Sequence, residues 1–182
     1  VLECGDTLRD LRIQYTIWGE LNSDKSNVVW IFHALTANSD PSDWWENLFS
    51  EGSPISPAKD FIICANTIGS CYGSTEPKDY DFPLLTVRDI VEGHKHLKKH
   101  LGVDKIKLGI GGSLGGQQLL EWAAQEPDLF ELVVPLATNA KHSAWGIAFN
   151  EAQRMALKNS DQNQGLEAAR AIAMLSYRNY QT

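Results

Sequence analysis

The feature that most constrains this chain is Gly111-Gly112-Ser113-Leu114-Gly115-Gly116, set between two segments of opposite periodicity. Lys105–Ile110 alternates polar and apolar residues as a strand does, and Gln117–Glu126 follows helical spacing until Pro127-Asp128 stops it. A G-x-S-x-G joining strand to helix forms a turn so tight that side chains flanking the serine would clash, hence glycine on both sides. The serine is then held exposed at the helix N-terminus. There the Leu114 amide and the positive helix end can stabilise a developing oxyanion. Ser113 is the candidate nucleophile. A glycine-rich β–α turn with an incidental serine is the plainer alternative, and the strand-before, helix-after context weighs against it.

The strand–turn–helix geometry of such an elbow belongs to the α/β-hydrolase fold, and a second segment sits where that fold requires one. Asn27–Phe32 is a continuous apolar run, as in a parallel strand covered on both faces, and it ends in His33-Ala34-Leu35-Thr36. The loop after this strand donates the second oxyanion amide, which by position is Leu35 N–H. His33 precedes the serine, whereas this fold orders its triad serine, acid, histidine; we therefore read it as a hydrogen-bonded loop residue.

The chain of 182 residues is long enough for one substantial core, and its 43% hydrophobic and 21% charged residues suit an ordinary globular protein. No apolar stretch is long enough to span a bilayer, and VLECGDTLRD has no signal-peptide pattern. The start lacks methionine, so it reads as trimmed. A net charge of −7, with the 16 Lys and Arg gathered into no stripe, argues against nucleic acid as a partner. Cys4, Cys64 and Cys71 lack metal-ligand spacing and read as reduced thiols of a cytoplasmic protein.

The remaining pattern is that of a mostly parallel, doubly wound α/β sheet. Leu11–Trp18 reads as an early antiparallel strand, Trp44–Phe49 as a short helix after a loop holding Pro41, and Asp60–Ala65 as a buried strand. Asn66–Pro83 is a long loop of the kind that carries function. Thr86–Leu101 is an amphipathic helix with Thr86 as its cap; His94, His96 and His100 on it read as a solvated basic face rather than a metal site. Leu129–Ala137 is a further strand. Trp145–Lys158 and Leu166–Tyr180 read as helices separated by a polar linker, Asn159–Gly165. They leave the sheet rhythm, which divides the chain into an α/β core (1–141) and the start of a helical lid (142–182).

Several segments together resemble the homoserine O-acetyltransferase family of methionine biosynthesis. They are His33–Thr36, Asn66–Thr75 (NTIGSCYGST), Phe82–Asp89 (FPLLTVRD), Gly111–Trp122, Ile147–Glu151 and Leu175–Arg178. The resemblance implies ping-pong acyl transfer in the cytoplasm: Ser113 takes acetyl from acetyl-CoA, the co-substrate, and passes it to the hydroxyl of L-homoserine. It implies no bound cofactor, no membrane and a homodimer formed through the lid helices. Arg170 and Tyr177 lie seven residues apart, two turns along nearly one helix face. By themselves they read as a solvated arginine and a packing tyrosine; the resemblance makes them ligands of the homoserine carboxylate. Serine and homoserine succinyltransferases share this scaffold, and a carboxylic-ester hydrolase would present the same elbow.

A serine nucleophile needs a base and an orienting acid. His142 is the one histidine after Ser113 and stands at the lid entrance. The expectation is therefore an N-terminal portion of the fold, without the catalytic Asp and His and inactive alone.

Overall fold

The computed structural model describes residues 1–78 and 82–178. The chain divides into two compact units, Val1–Ala140 and Lys141–Thr182.

The first unit is a five-stranded sheet in the order β1-β3-β2-β4-β5. Strands β2 (Val28–Phe32) and β3 (Phe61–Ala65) are buried at every residue, because the sheet is covered on both faces. Strands β4 (Ile106–Gly112) and β5 (Phe130–Leu136) continue it in parallel, while β1 (Tyr15–Trp18) runs antiparallel to β3. On one face Trp30, Phe32 and Ile63 pack with Val91, Leu119 and Trp122 from helices α2 (Val87–His100) and α3 (Leu114–Gln125). On the other, Val29, Ile31, Ile62 and Cys64 pack with Leu48, Ile55 and the tryptophans beside α1 (Pro41–Trp44). This is the doubly wound α/β-hydrolase core. Strand β5 has β4 on one side, and among the described residues no strand pairs with its other edge; Leu132 and Leu136 are exposed on it.

Several boundaries moved for identifiable reasons. The expected first strand keeps only Tyr15–Trp18. Upstream, Arg12 and Gln14 bond instead to the loop after β3, with Arg12 N–H donating to Thr75 Oγ1 (2.8 Å) and Gln14 N–H to Ser74 Oγ (3.1 Å). Pro41 opens α1 rather than preceding it, since Asp40 caps the helix by accepting from Ser42 N–H, and a first-turn proline has no amide to lose. Helix α3 starts at Leu114, three residues before the apolar pattern.

The second unit is a helical hairpin of α4 (Ala144–Asn159) and α5 (Gln162–Ser176). The expected polar linker is mostly helix. Asp161 caps α5 by accepting from the amides of Asn163 and Gln164. Gly165 lies inside α5, where a Cβ would stand 3.0 Å from the Ala156 carbonyl oxygen, so glycine lets the two helices close on each other. Residues 179–180 of the expected last helix lie outside the described residues.

Candidate active site

Ser113 is built as the sequence requires. Its backbone sits at φ 53°, ψ −120°, a left-handed conformation that a residue with a Cβ adopts only under constraint. The constraint is visible: Ser113 N–H donates to Leu136 O (3.0 Å), its carbonyl accepts from Gln117 N–H (3.1 Å) and from Thr138 Oγ1 (2.7 Å). The side chain makes no capping bond and the residue is exposed, so among the described residues Oγ has no hydrogen-bond partner at the start of α3. Gly115 sits against the end of β2, where a Cβ would fall 2.1 Å from Phe32 O and 2.8 Å from His33 O. This contact brings the first amides of α3 up to the loop that carries Leu35.

Leu35 and Leu114 both line an open cavity of about 850 Å³ walled by Thr67–Tyr72 and Phe82–Val87. Its lining is largely apolar. Asn66–Thr75 is held in shape as a wall: Asn66 N–H donates to Gln14 O, Gly69 N–H to Thr75 O, and Ser74 Oγ to Asn66 O. Arg88, from the FPLLTVRD segment, donates to Glu3 (2.7 Å) and Glu121 (2.8 Å), tying α2 to the N-terminal segment and to α3.

Leu35, in the loop after β2, and Leu114, at the start of α3, line this one cavity of the first unit, and Ser113 directly precedes Leu114 without itself being part of the lining. Arg170 and Tyr177 belong to the second unit. Arg170 is exposed on α5, and Tyr177 forms its C-cap with its side chain 73% exposed. His142, in the same unit, makes a 3.1 Å hydrogen bond with the Asn150 side-chain amide.

His33 is a buried structural residue. Nε2 accepts from Thr67 N–H (2.9 Å), which leaves the proton on Nδ1 to donate to Ala34 O (2.8 Å). Burial pushes this imidazole below its ordinary range, partly opposed by the Ala34 carbonyl. His94 corrects the expectation of a solvated basic face. It shares the packed face of α2 with Ile90, Val91 and Leu97 and stacks on Trp122 at 5.8 Å. Its Nε2 bonds to Gln118 Oε1 (2.9 Å), and Gln118 in turn donates to Thr67 Oγ1 (3.2 Å). His96 and His100 do stay exposed. Sequence reading missed the roles of Thr67, Gln118 and His94. The one available signal was an amide, Gln118, at helical spacing beside Leu119 and Trp122.

Burial carries the His94 imidazole from its ordinary 6.5 to about 4. Between those values the unfolded chain binds more protons than the folded one, so stability falls as pH is lowered. The gap is worth about 3 kcal/mol. Urea melts from pH 7 to pH 4 should show this acid limb, and His94→Phe should flatten it; an equal slope in the variant would rule the assignment out.

A profile of the alpha/beta hydrolase fold matches residues 27–172. A homoserine O-acetyltransferase of Cyclobacterium marinum is 44% identical over an alignment of 200 positions, gaps included, that takes in 100% of this chain and 57% of that protein. One from Chlorobaculum parvum is 46% identical over 199 such positions, covering 97% and 56%. The crystal structure of homoserine O-acetyltransferase from Staphylococcus aureus superposes with a TM-score of 0.86 at 34% identity, over 100% of this chain and 56% of that one. The chain spans a little over half the length of these relatives.

Proposed function

Because this chain belongs to the α/β-hydrolase fold family, we propose that it carries the nucleophile and oxyanion site of a homoserine O-acetyltransferase. The observation that carries the acyl chemistry is Ser113, strained and without a capping bond at the start of α3, next in sequence to Leu114 of the cavity lining. The choice of acceptor and donor rests on the similarity to homoserine O-acetyltransferases.

In this reading Ser113 Oγ attacks the thioester carbonyl carbon of acetyl-CoA. The C–S bond breaks, CoA leaves as the thiol, and the acetyl group stays on Oγ. The homoserine hydroxyl then attacks the acetyl-serine, and the Oγ–C bond breaks to give O-acetylhomoserine and the free serine. Leu35 N–H and Leu114 N–H hold the oxyanion of each tetrahedral intermediate, a contribution of roughly 3 kcal/mol per donor in other enzymes. Neither His33 nor His94 serves as base, since their burial and existing bonds commit them elsewhere. The proposal places the base and its acid outside these 182 residues. We propose that residues 142–182 begin a lid whose helices form a homodimer surface, a reading supported by the exposure of Trp145, Leu175 and Tyr177. The enzyme is cytoplasmic, serves methionine biosynthesis and needs no bound cofactor; among the described residues no helix is long and apolar enough to cross a membrane.

Incubating the natural protein with acetyl-CoA, quenching and digesting should yield an acetyl mass on the peptide containing Ser113. An unmodified peptide during turnover overturns the assignment. Arg170 is proposed to pair with the homoserine carboxylate and Tyr177 to add a hydrogen bond. Arg170→Ala should raise the homoserine KM at least about tenfold, the loss of one charge-assisted contact, while acylation by acetyl-CoA stays near normal. Lost acylation with homoserine binding intact would instead place Arg170 on the CoA side or in the scaffold.

A further inference from the structure

We infer that His94, Gln118, Thr67 and His33 form one directed hydrogen-bond relay that aims the Leu35 amide, which makes Thr67 and Gln118 positioning residues for acyl transfer. The inference rests on the proposal that Leu35 N–H is an oxyanion donor.

Each donor in the chain is fixed by the one after it. His33 Nε2 receives Thr67 N–H at 2.9 Å, so it carries no proton, and the Thr67 hydroxyl 3.2 Å away donates to it as well. That hydroxyl accepts from Gln118 Nε2 (3.2 Å), which turns Gln118 Oε1 toward His94 Nε2–H (2.9 Å). The four side chains come from α2, α3 and the loops after β2 and β3, and His33, His94 and Gln118 are at most 3% exposed. Bonds aligned head to tail in a low-dielectric interior polarise one another.

The far end of the relay is where it acts. His33 Nδ1–H donates to the Ala34 carbonyl, which also accepts from Ala37 N–H (3.0 Å). The Ala34 C=O and the Leu35 N–H belong to the same planar trans peptide, in which they point in opposite directions. Holding the carbonyl on His33 and Ala37 therefore fixes the Leu35 N–H in the opposite direction, and Leu35 is itself a residue of the cavity lining. An oxyanion donor works through preorganisation, so a peptide free to rock loses part of its value.

The test compares paired variants in the natural enzyme, measuring the acylation rate of Ser113, the acetyl-CoA KM and the melting temperature. Thr67→Val removes the hydroxyl at constant shape and should slow acylation about tenfold, a fraction of the 10²–10³ that losing an oxyanion donor costs. KM should stay within about twofold, and Thr67→Ser, which restores the hydroxyl, should recover the parent rate. His33→Asn keeps a donor near the Ala34 carbonyl and should outperform His33→Gln. If the His33 variants fail to fold, the Thr67 pair decides. Parent rates in Thr67→Val, a loss equal in Thr67→Ser, or an effect confined to KM would overturn the relay. If the parent never acetylates Ser113, the functional reading fails, and the relay is judged by amide NMR. Thr67→Val should then shift the Leu35 amide resonance, and an unmoved resonance overturns it.

Discussion

Ser113→Gly is expected to abolish acyl transfer by the natural enzyme and, in the same protein, to raise its melting temperature. The two effects have separate causes. Removing Oγ removes the nucleophile, which in serine enzymes costs at least about a thousandfold in kcat. The backbone at φ 53°, ψ −120° is strained for any residue with a Cβ, by about 1–3 kcal/mol. Glycine relieves that strain, while its extra freedom in the unfolded chain returns about 0.5–1 kcal/mol. Relief wins, and a net gain of about 1 kcal/mol corresponds to about 2–4 °C. Ser113→Ala keeps the Cβ and breaks no side-chain bond, so it should be equally inactive with an unchanged melting temperature. Calorimetry on the three proteins checks this; a destabilised Ser113→Gly would mean that the conformation is not strained as described.

The second large effect concerns two neighbouring glycines that look alike in sequence. Gly115→Ala places a methyl 2.1 Å from Phe32 O and 2.6 Å from Phe32 C, both main-chain atoms of β2 that no rotamer change can move aside. Helix α3 must retreat from the sheet, opening the core around Leu119 and carrying the Leu114 amide away from Leu35. A loss of about 3 kcal/mol or more is expected, the upper end for an overpacked site. Gly112→Ala meets nothing closer than Leu136 O at 3.8 Å and lacks a positive φ, so it should cost about 1 kcal/mol or less. Denaturant melts of both variants separate the cases; equal losses would show that the β4–α3 turn tolerates no side chain for some reason other than this contact.

The parts legible in sequence were those fixed by local rules. The central strands stood out because burial on both faces demands unbroken apolar runs such as Val28–Phe32. The elbow stood out because its sterics admit glycine at 111 and 115. Thr86 was recognisable as a cap, and the structure adds its reciprocal partner, Asp89. Other features depend on contacts between distant residues. His94 looked like one of three basic residues on a helix, and only the fold brings Gln118, 24 positions later, to its ring. Thr67 meets His33 and Gln118 across separations of 34 and 51 positions, which no local pattern encodes. The α4–α5 turn was obscured because Gly165 resembles a breaker, although packing against Ala156 makes it an interior helix residue.

Strand β5 bears on how this polypeptide behaves in a test tube. Its outer edge offers a row of backbone donors and acceptors with no strand beside it among the described residues, and Leu132 and Leu136 flank that row. No charge is directed there except Glu131, and Pro135 interrupts the row once. Proteins normally shield such an edge with charge, bulges or a covering segment. Left bare, it templates the addition of further chains. Expressed as these 182 residues alone, the protein is therefore prone to inclusion bodies, and a partner segment that seats on β5 would act as a solubilising cover.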